Sequence, residues 1–365
     1  MNQILRRDAQ QIAEAAIAAV KPDEAVWRAL KNVTLGRRVF LVAVGKAAWQ
    51  MAAAAVAHLE RPIHRGIVVT KYSHVMGQIP GCVCYEAGHP VPDGNSFVAT
   101  EAVLDMTKGL TESDTVLFLL SGGGSALFEK PLVTPEVLQD VTRKLLSGGA
   151  GITEINTIRK RLSAVKGGRF AHHCAPAQVE AIILSDVLGD PVDMIASGPT
   201  AADPVTKMEA RAIANRYGVD SFPGVSECLE TETPKEVSHV HTQIIGSVRQ
   251  LCKAAGEAAA RLGYECIFLS DCLDGEASDT GRALAKELKK YASGGRKIAL
   301  LAGGETVVQG DGVHIKVNGS EVAKYTATGG EITQMKVDNY LYIGAHRIEK
   351  CNMFNEVGTG FFWNG

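Results

Sequence analysis

A glycine-lysine pair and a triple-glycine turn carry the residues whose types and spacing could do chemistry. In Asp114-Thr115-Val116-Leu117-Phe118-Leu119-Leu120-Ser121-Gly122-Gly123-Gly124-Ser125 an apolar run stops at three glycines set between two serines. Glycines in such a turn let backbone N–H groups approach a phosphate or carboxylate without interference from Cβ atoms. Lys46 directly follows Gly45 at the end of another apolar run, and a lysine there places a compact positive charge beside a phosphoryl group. The segment Ser185-Asp186-Val187-Leu188-Gly189-Asp190 closes a third apolar run. An aspartate in that place can hold Mg²⁺ through water, or take the proton of an attacking hydroxyl. Asp190 would support it.

Further candidates come from three other segments. Ser197 belongs to the hydroxyl-dense turn Ile195-Ala196-Ser197-Gly198-Pro199-Thr200, and Glu305 follows the apolar run Ile298–Ala302. Arg159, Lys166 and Arg169 lie in a basic segment with a glycine pair inside it, and could contact an anion. Each group also has a plainer reading. Lys46 could be a solvated lysine at a helix start, the basic segment an exposed helix face, and Asp186 the cap of the next turn. His89, in Gly88-His89-Pro90-Val91-Pro92-Asp93, either orients a substrate or packs its own loop.

Glycine turns at strand ends also raise nicotinamide binding, which requires G-x-G-x-x-G and an acidic residue about 20 positions on. Leu127 stands where the third glycine or alanine belongs, and Asp140 falls within the helical pattern Val137–Leu146. Gly45-Lys46-Ala47-Ala48-Trp49-Gln50 fails the same test, and the Walker phosphate loop is absent. Phosphoryl transfer fits these residues better than hydride transfer.

The elements that must position them read as strands alternating with helices. Arg38–Val44, Gly66–Thr70, Val83–Glu86, Asp114–Leu120 and Ala181–Ser185 are predicted strands, with helices at Ala47–Leu59 and Asn95–Leu110. Apolar runs without alternation, separated by helices of about 10–15 residues, indicate a doubly wound, mostly parallel Rossmann-like α/β sheet. The polar stretch Ser221–Ser238 is the expected hinge. It divides a large N-terminal domain, 1–238, from a smaller α/β domain, 239–365, that begins with His241–Gly246. Near Asp311 the composition changes. The last 55 residues hold one leucine but seven of the 21 aromatic residues, so they do not continue the preceding pattern. Alternation in Val313–Val317 and Asn339–Ile343 reads as β, and the aromatic end could serve a homo-oligomeric contact.

At 365 residues, 46% hydrophobic and 21% charged, the chain is long enough for two cored domains. A net charge of −2 gives no reason to expect nucleic acid or an anionic membrane as partner. No segment approaches the roughly 18 apolar residues of a membrane helix, and the first residues lack a signal-peptide core, so a cytoplasmic location is expected. Eight cysteines without paired spacing read as reduced thiols rather than as a zinc or disulfide framework.

The phrases Val44-Gly45-Lys46-Ala47-Ala48, Glu86–Asp93, Ser121–Leu127, Ile155–Lys160, Val165–Arg169, Ser185–Asp190, Ile195–Thr200 and Gly303-Gly304-Glu305-Thr306 run in one order along the chain. In them the sequence resembles glycerate 2-kinase of the MOFRL family, whose members have often been labelled hydroxypyruvate reductases. The resemblance implies an ATP- and Mg²⁺-dependent kinase that converts D-glycerate to 2-phosphoglycerate in a cleft between two α/β domains. It implies Lys46 as the essential lysine and Asp186 as the cleft aspartate. After Gln309 the family's Gly-Gly-Arg-Asn-Gln-Glu and Gly-Thr-Asp-Gly segments have no counterpart. The end of the chain therefore reads as a shifted frame, a recombined end, or a divergent, shortened second domain, and the loss of a cationic group would impair turnover. Two alternatives are an NAD(P)H-dependent hydroxypyruvate reductase and a catalytically silent ligand-binding homologue.

Overall fold

A computed structural model describes residues 3–185, 187, 189–291, 296–304, 306–308, 312–317, 320–326, 335–336, 340–343 and 358–360. The chain opens with α1 (Gln3–Val20) and α2 (Pro22–Leu30). Then follow β1 (Arg38–Val44), α3 (Ala48–His58), β2 (Arg65–Lys71), β3 (Cys82–Ala87), α4 (Gly94–Met106) and β4 (Asp114–Leu120). The short α5 (Gly124–Leu127) leads to α6 (Pro135–Ser147), α7 (Ile152–Arg161), α8 (Arg169–Cys174) and β5 (Gln178–Leu184). After a 3-10 turn (Ile195–Ser197) come α9 (Lys207–Tyr217), α10 (Val225–Glu230) and β6 (Val240–Gly246). The remainder holds α11 (Val248–Arg261), β7 (Glu265–Leu273), α12 (Ala277–Lys289), β8 (Ile298–Gly304) and short strands beyond.

Six strands form one parallel sheet in the order β3-β2-β1-β4-β5-β6. Every residue of β4 is buried, which explains its unbroken apolar run. Successive side chains point to opposite faces, and helices cover both. Val116, Phe118 and Leu120 join Ala99 and Val103 of α4 and Phe170 of α8. Leu117 and Leu119 join Val26 of α2 and Met51, Ala52 and Ala55 of α3. Burying each such large side chain stabilises the fold by about 1.5–3 kcal/mol. β1 and β4 pair in step from Arg38 opposite Asp114 to Val44 opposite Leu120, so both strands end at one level. Arg38 fixes this register from below, its Nε and Nη2 donating to the two oxygens of Asp114 at 2.7 and 2.6 Å.

The division of the chain differs from the expected 1–238 and 239–365. The larger unit is Pro22–Gly246, and the other combines Met1–Lys21 with Ser247–Gly365. His241–Gly246 does not begin the second unit, because β6 pairs with β5 as the edge of the large sheet. Nor is Ser221–Ser238 a hinge. Val225 and Leu229 of α10 are buried with α9 and α7, and Thr233 donates to Asp203 at 2.8 Å. In the smaller unit α1 lays Ile12, Ala13 and Ala16 on Leu251, Ala255 and Ala259 of α11 and Leu301 of β8. β8 runs parallel to β7 and antiparallel to a strand at Tyr340–Ile343. Another strand, Gly312–Val317, pairs antiparallel with Ser320–Thr326. Strands thus occupy both tail segments where alternation predicted them.

Candidate active site

The strand order reverses at β1: the chain first builds outward through β2 and β3, then returns to place β4 on the other side of β1. Connections leaving two such neighbours diverge, and a crevice opens beyond their carboxyl ends. Gly45-Lys46 follows β1 and Ser121–Ser125 follows β4, so both sequence motifs reach this one place.

Hydrogen bonds stitch the two loops together. Lys46 N–H donates to the Gly122 carbonyl at 2.8 Å, and Ala47 N–H donates to Ser121 Oγ at 3.0 Å. Gly45 has φ 123°. A Cβ there would collide with the Ser121 hydroxyl and come within 2.5 Å of its carbonyl oxygen, so only glycine lets β1 leave this close to β4. Gly123, with φ 86°, is the second obligatory glycine. A Cβ on it would stand 3.1 Å from Lys46 Cγ and 2.9–3.0 Å from the imidazole of His89. Lys46 and His89 therefore pack directly against the glycine turn. Gly123 caps α5 in a left-handed conformation, and the N–H groups of Gly123, Gly124 and Ser125 donate to no backbone carbonyl among the described residues. Such first-turn donors are left for water, a side chain or a ligand anion.

The other candidates divide into three groups. Ser121 is almost fully buried and its oxygen accepts from Ala47, which makes it a scaffold of the turn. Gly122 and Gly124 are likewise interior, whereas Gly123 and Ser125 are accessible. Ser125 Oγ lies 3.4 Å from Ser197 Oγ, and Ser197 donates to Asn156 Oδ1 at 3.0 Å. Arg159 comes to the same turn, its Nη2 donating to the Ser125 carbonyl at 3.1 Å. Asp190, with φ 55°, donates its N–H to the Val187 carbonyl at 3.1 Å, and this contact places it in a turn after β5. Asp186 and Glu305 lie outside the described residues.

Lys166 departs from its expected anion contact. Its side chain is completely buried, donating to the Phe128 carbonyl at 2.8 Å and pairing with Glu129 Oε2 at 3.0 Å. Burial pushes this ammonium below the usual lysine range, with Glu129 offsetting part of the effect. Arg169 also turns inward, to the carbonyl of Ser163 at 2.9 Å. Lys160 pairs with Asp203 at 3.1 Å, and Arg161 donates to the carbonyls of Thr231 and Val205 at 3.0 and 2.6 Å. The basic segment is not an exposed face: apart from Arg159, which reaches the Ser125 carbonyl, its charges turn inward. It is an internal hub whose partners lie far along the sequence.

Three residues of this neighbourhood had a weak sequence signal or none. His89 had one, a proline-stiffened loop. Asn156 had only its place in the phrase Ile155–Lys160, and Glu129 had none, since a lone glutamate after a short apolar run looks like a solvent-facing residue.

Residues 8–230 match the family described as a domain of unknown function, DUF4147. The D-glycerate 2-kinase of Thermotoga maritima is 47% identical over 321 residues, covering 86% of this chain and 76% of that protein. The chain belongs to the glycerate 2-kinase family. A further relative, from Agrobacterium vitis, carries a provisional hydroxypyruvate reductase name and is 39% identical over 323 residues, 84% of this chain and 71% of its own. Among solved structures, the crystal structure of a glycerate kinase from Thermotoga maritima superposes with a TM-score of 0.82 at 46% identity. That match covers 86% of this chain and 77% of the other. Membership of the glycerate 2-kinase family thus rests on the fold as well as on the sequence phrases.

Proposed function

We propose that the protein transfers the γ-phosphoryl group of ATP to D-glycerate, giving 2-phosphoglycerate and ADP. The observation that carries this reading is the meeting of Lys46 Cγ with Gly123 at the β1/β4 crevice. The lysine that follows β1 and the turn that supplies the N–H donors meet there without a side chain between them. The donors of Gly123, Gly124 and Ser125 would hold anionic oxygens of a phosphate or of the glycerate carboxylate. Lys46 would lie against the transferring group, where negative charge spreads over the equatorial oxygens. Arg159 would brace the turn through the Ser125 carbonyl.

In the reaction the glycerate 2-hydroxyl oxygen forms a bond to the γ-phosphorus as the bond to the β–γ bridging oxygen breaks. Asp186 would accept the hydroxyl proton, which leaves the negative charge on ADP. Asp186 would be the carboxylate that holds Mg²⁺ alongside the phosphates, and the bound ion would supply charge neutralisation. Among the described residues no group of three His, Cys, Asp or Glu side chains could hold a metal ion. A kinase metal bound chiefly through substrate phosphates needs no such cage.

A reductase would need an acid at the end of β2 to hold the nicotinamide ribose. Thr70 and Lys71 occupy that place, which disfavours the alternative. Incubation with D-glycerate and Mg-ATP tests the proposal by ADP release and detection of 2-phosphoglycerate. A parallel incubation with hydroxypyruvate and NADH is expected to show no oxidation above background. NADH consumption without ADP release would reverse the assignment.

A further inference from the structure

The motif Glu86-Ala87-Gly88-His89-Pro90-Val91-Pro92-Asp93 does more than carry His89. Its two carboxylates clamp the start of the loop between β2 and β3. Glu86 Oε1 accepts the N–H groups of His74 at 3.0 Å and Val75 at 2.9 Å. These contacts, the Val75 N–H foremost, hold the Glu86 carboxyl below its ordinary range. Asp93 Oδ2 accepts the Tyr72 hydroxyl at 2.6 Å, and Asn95 donates to that hydroxyl at 3.0 Å. Between the clamps Ser73 adopts a left-handed conformation, φ 66°, which turns His74 back toward β1.

The His74 ring ends at the backbone of Lys46. Its Nδ1 is 3.1 Å from the Lys46 carbonyl oxygen. A carbonyl only accepts, so this nitrogen must bear the hydrogen. Thr70 Oγ1 donates to the same oxygen at 3.3 Å. On the opposite side Lys46 N–H is held by Gly122, and the next N–H, that of Ala47, by Ser121. Both peptide planes flanking Lys46 are thereby fixed before its side chain begins. The first carbons of that side chain then rest on Gly123.

We propose that His74, clamped by Glu86, is a positioning residue for Lys46, aiming the lysine at the phosphoryl group through the lysine's own backbone carbonyl. The inference rests on the phosphoryl-transfer reading of Lys46. Its effect follows from geometry: a displacement of about 1 Å at a reacting centre can cost on the order of 10²-fold in rate. A residue acting this way lowers kcat while leaving substrate binding alone.

The test is the steady-state kinetics of His74→Leu, His74→Asn, Glu86→Leu and Lys46→Ala in the full chain, with D-glycerate and Mg-ATP. His74→Leu keeps bulk without a donor, and is expected to lower kcat roughly 10- to 100-fold with both KM values within about twofold. His74→Asn offers an amide N–H near the place of Nδ1, and should recover activity to within about threefold of the parent. Glu86→Leu frees the loop while leaving the ring, and should show the same loss in kcat alone; it decides the question if His74→Leu does not fold. Unchanged kcat in His74→Leu or Glu86→Leu beside a crippled Lys46→Ala overturns the inference and leaves the role of Lys46 standing. A His74→Asn as impaired as His74→Leu, or a loss carried by KM, overturns it as well. An undiminished Lys46→Ala, or a parent without kinase activity, removes the underlying reading and the inference with it.

Discussion

Gly123 concentrates the demands of the site in one missing side chain. An added methyl would press on Lys46 and His89 in a backbone conformation that L-residues rarely adopt. Gly123→Ala is therefore expected to lower kcat/KM by at least about 10²-fold, consistent with misplacement of reacting groups. Gly94→Ala, where an added methyl meets nothing within 4 Å, should leave kinetics unchanged. Equal effects of the two substitutions would show that the turn is not where ligand binds. Lys166 illustrates the opposite case, a charge whose work is internal. Lys166→Met strands the buried Glu129 carboxylate and should cost about 3–5 kcal/mol in urea unfolding. Adding Glu129→Leu should recover part of that loss, because it removes the stranded carboxylate and leaves only the part-exposed Arg159, 4.0 Å from Glu129, without its partner. A Lys166→Met variant of native stability and lowered affinity would instead place this lysine in the ligand site.

At the scale of elements, β1 and β4 hold the site together, and their register depends on Arg38 and Asp114 at the far end of both strands. Arg38 holds the buried Asp114 carboxyl well below the usual aspartate range. A depressed carboxyl contributes stability above its unfolded value of about 3.9, and that contribution is lost as pH falls through the folded value. The parent should thus lose stability more steeply than Asp114→Asn as pH drops below about 4. Parallel pH profiles in acid unfolding would show that the pair does not anchor the register. This layer was legible in the sequence because buried parallel strands are continuously apolar, and strand ends are marked by Gly45 and Gly122. The functions of Lys160, Arg161 and Lys166 were not legible, because Asp203 and Glu129 become their neighbours only after folding. Likewise Val225 and Leu229 hide within a polar stretch, which made a packed helix look like a hinge and gave β6 to the wrong unit. Asp186 and Glu305, read from strand ends alone, rest on the sequence.

Across the whole molecule, the N-terminal helix belongs with the C-terminal unit rather than with the strand that follows it. Residues Ile12, Ala13 and Ala16 complete the apolar face of α11 and β8. Deleting residues 1–21 should strip amide-exchange protection from α11 and β8 while β1 and β4 keep theirs, since the large sheet is covered by its own helices. Uniform loss of protection would contradict that division. No described helix is long and apolar enough to cross a membrane. The likeness to the Thermotoga maritima D-glycerate 2-kinase covers 86% of the chain, and the site on the large sheet lies within Pro22–Gly246. The chemistry of that site decides what the protein does. Its most direct test is the formation of 2-phosphoglycerate from D-glycerate and Mg-ATP by the parent chain and by Lys46→Ala. The expected result is product from the parent, matched one to one by ADP, and a turnover about 10³-fold lower in the variant. Equal turnover by both proteins would contradict it.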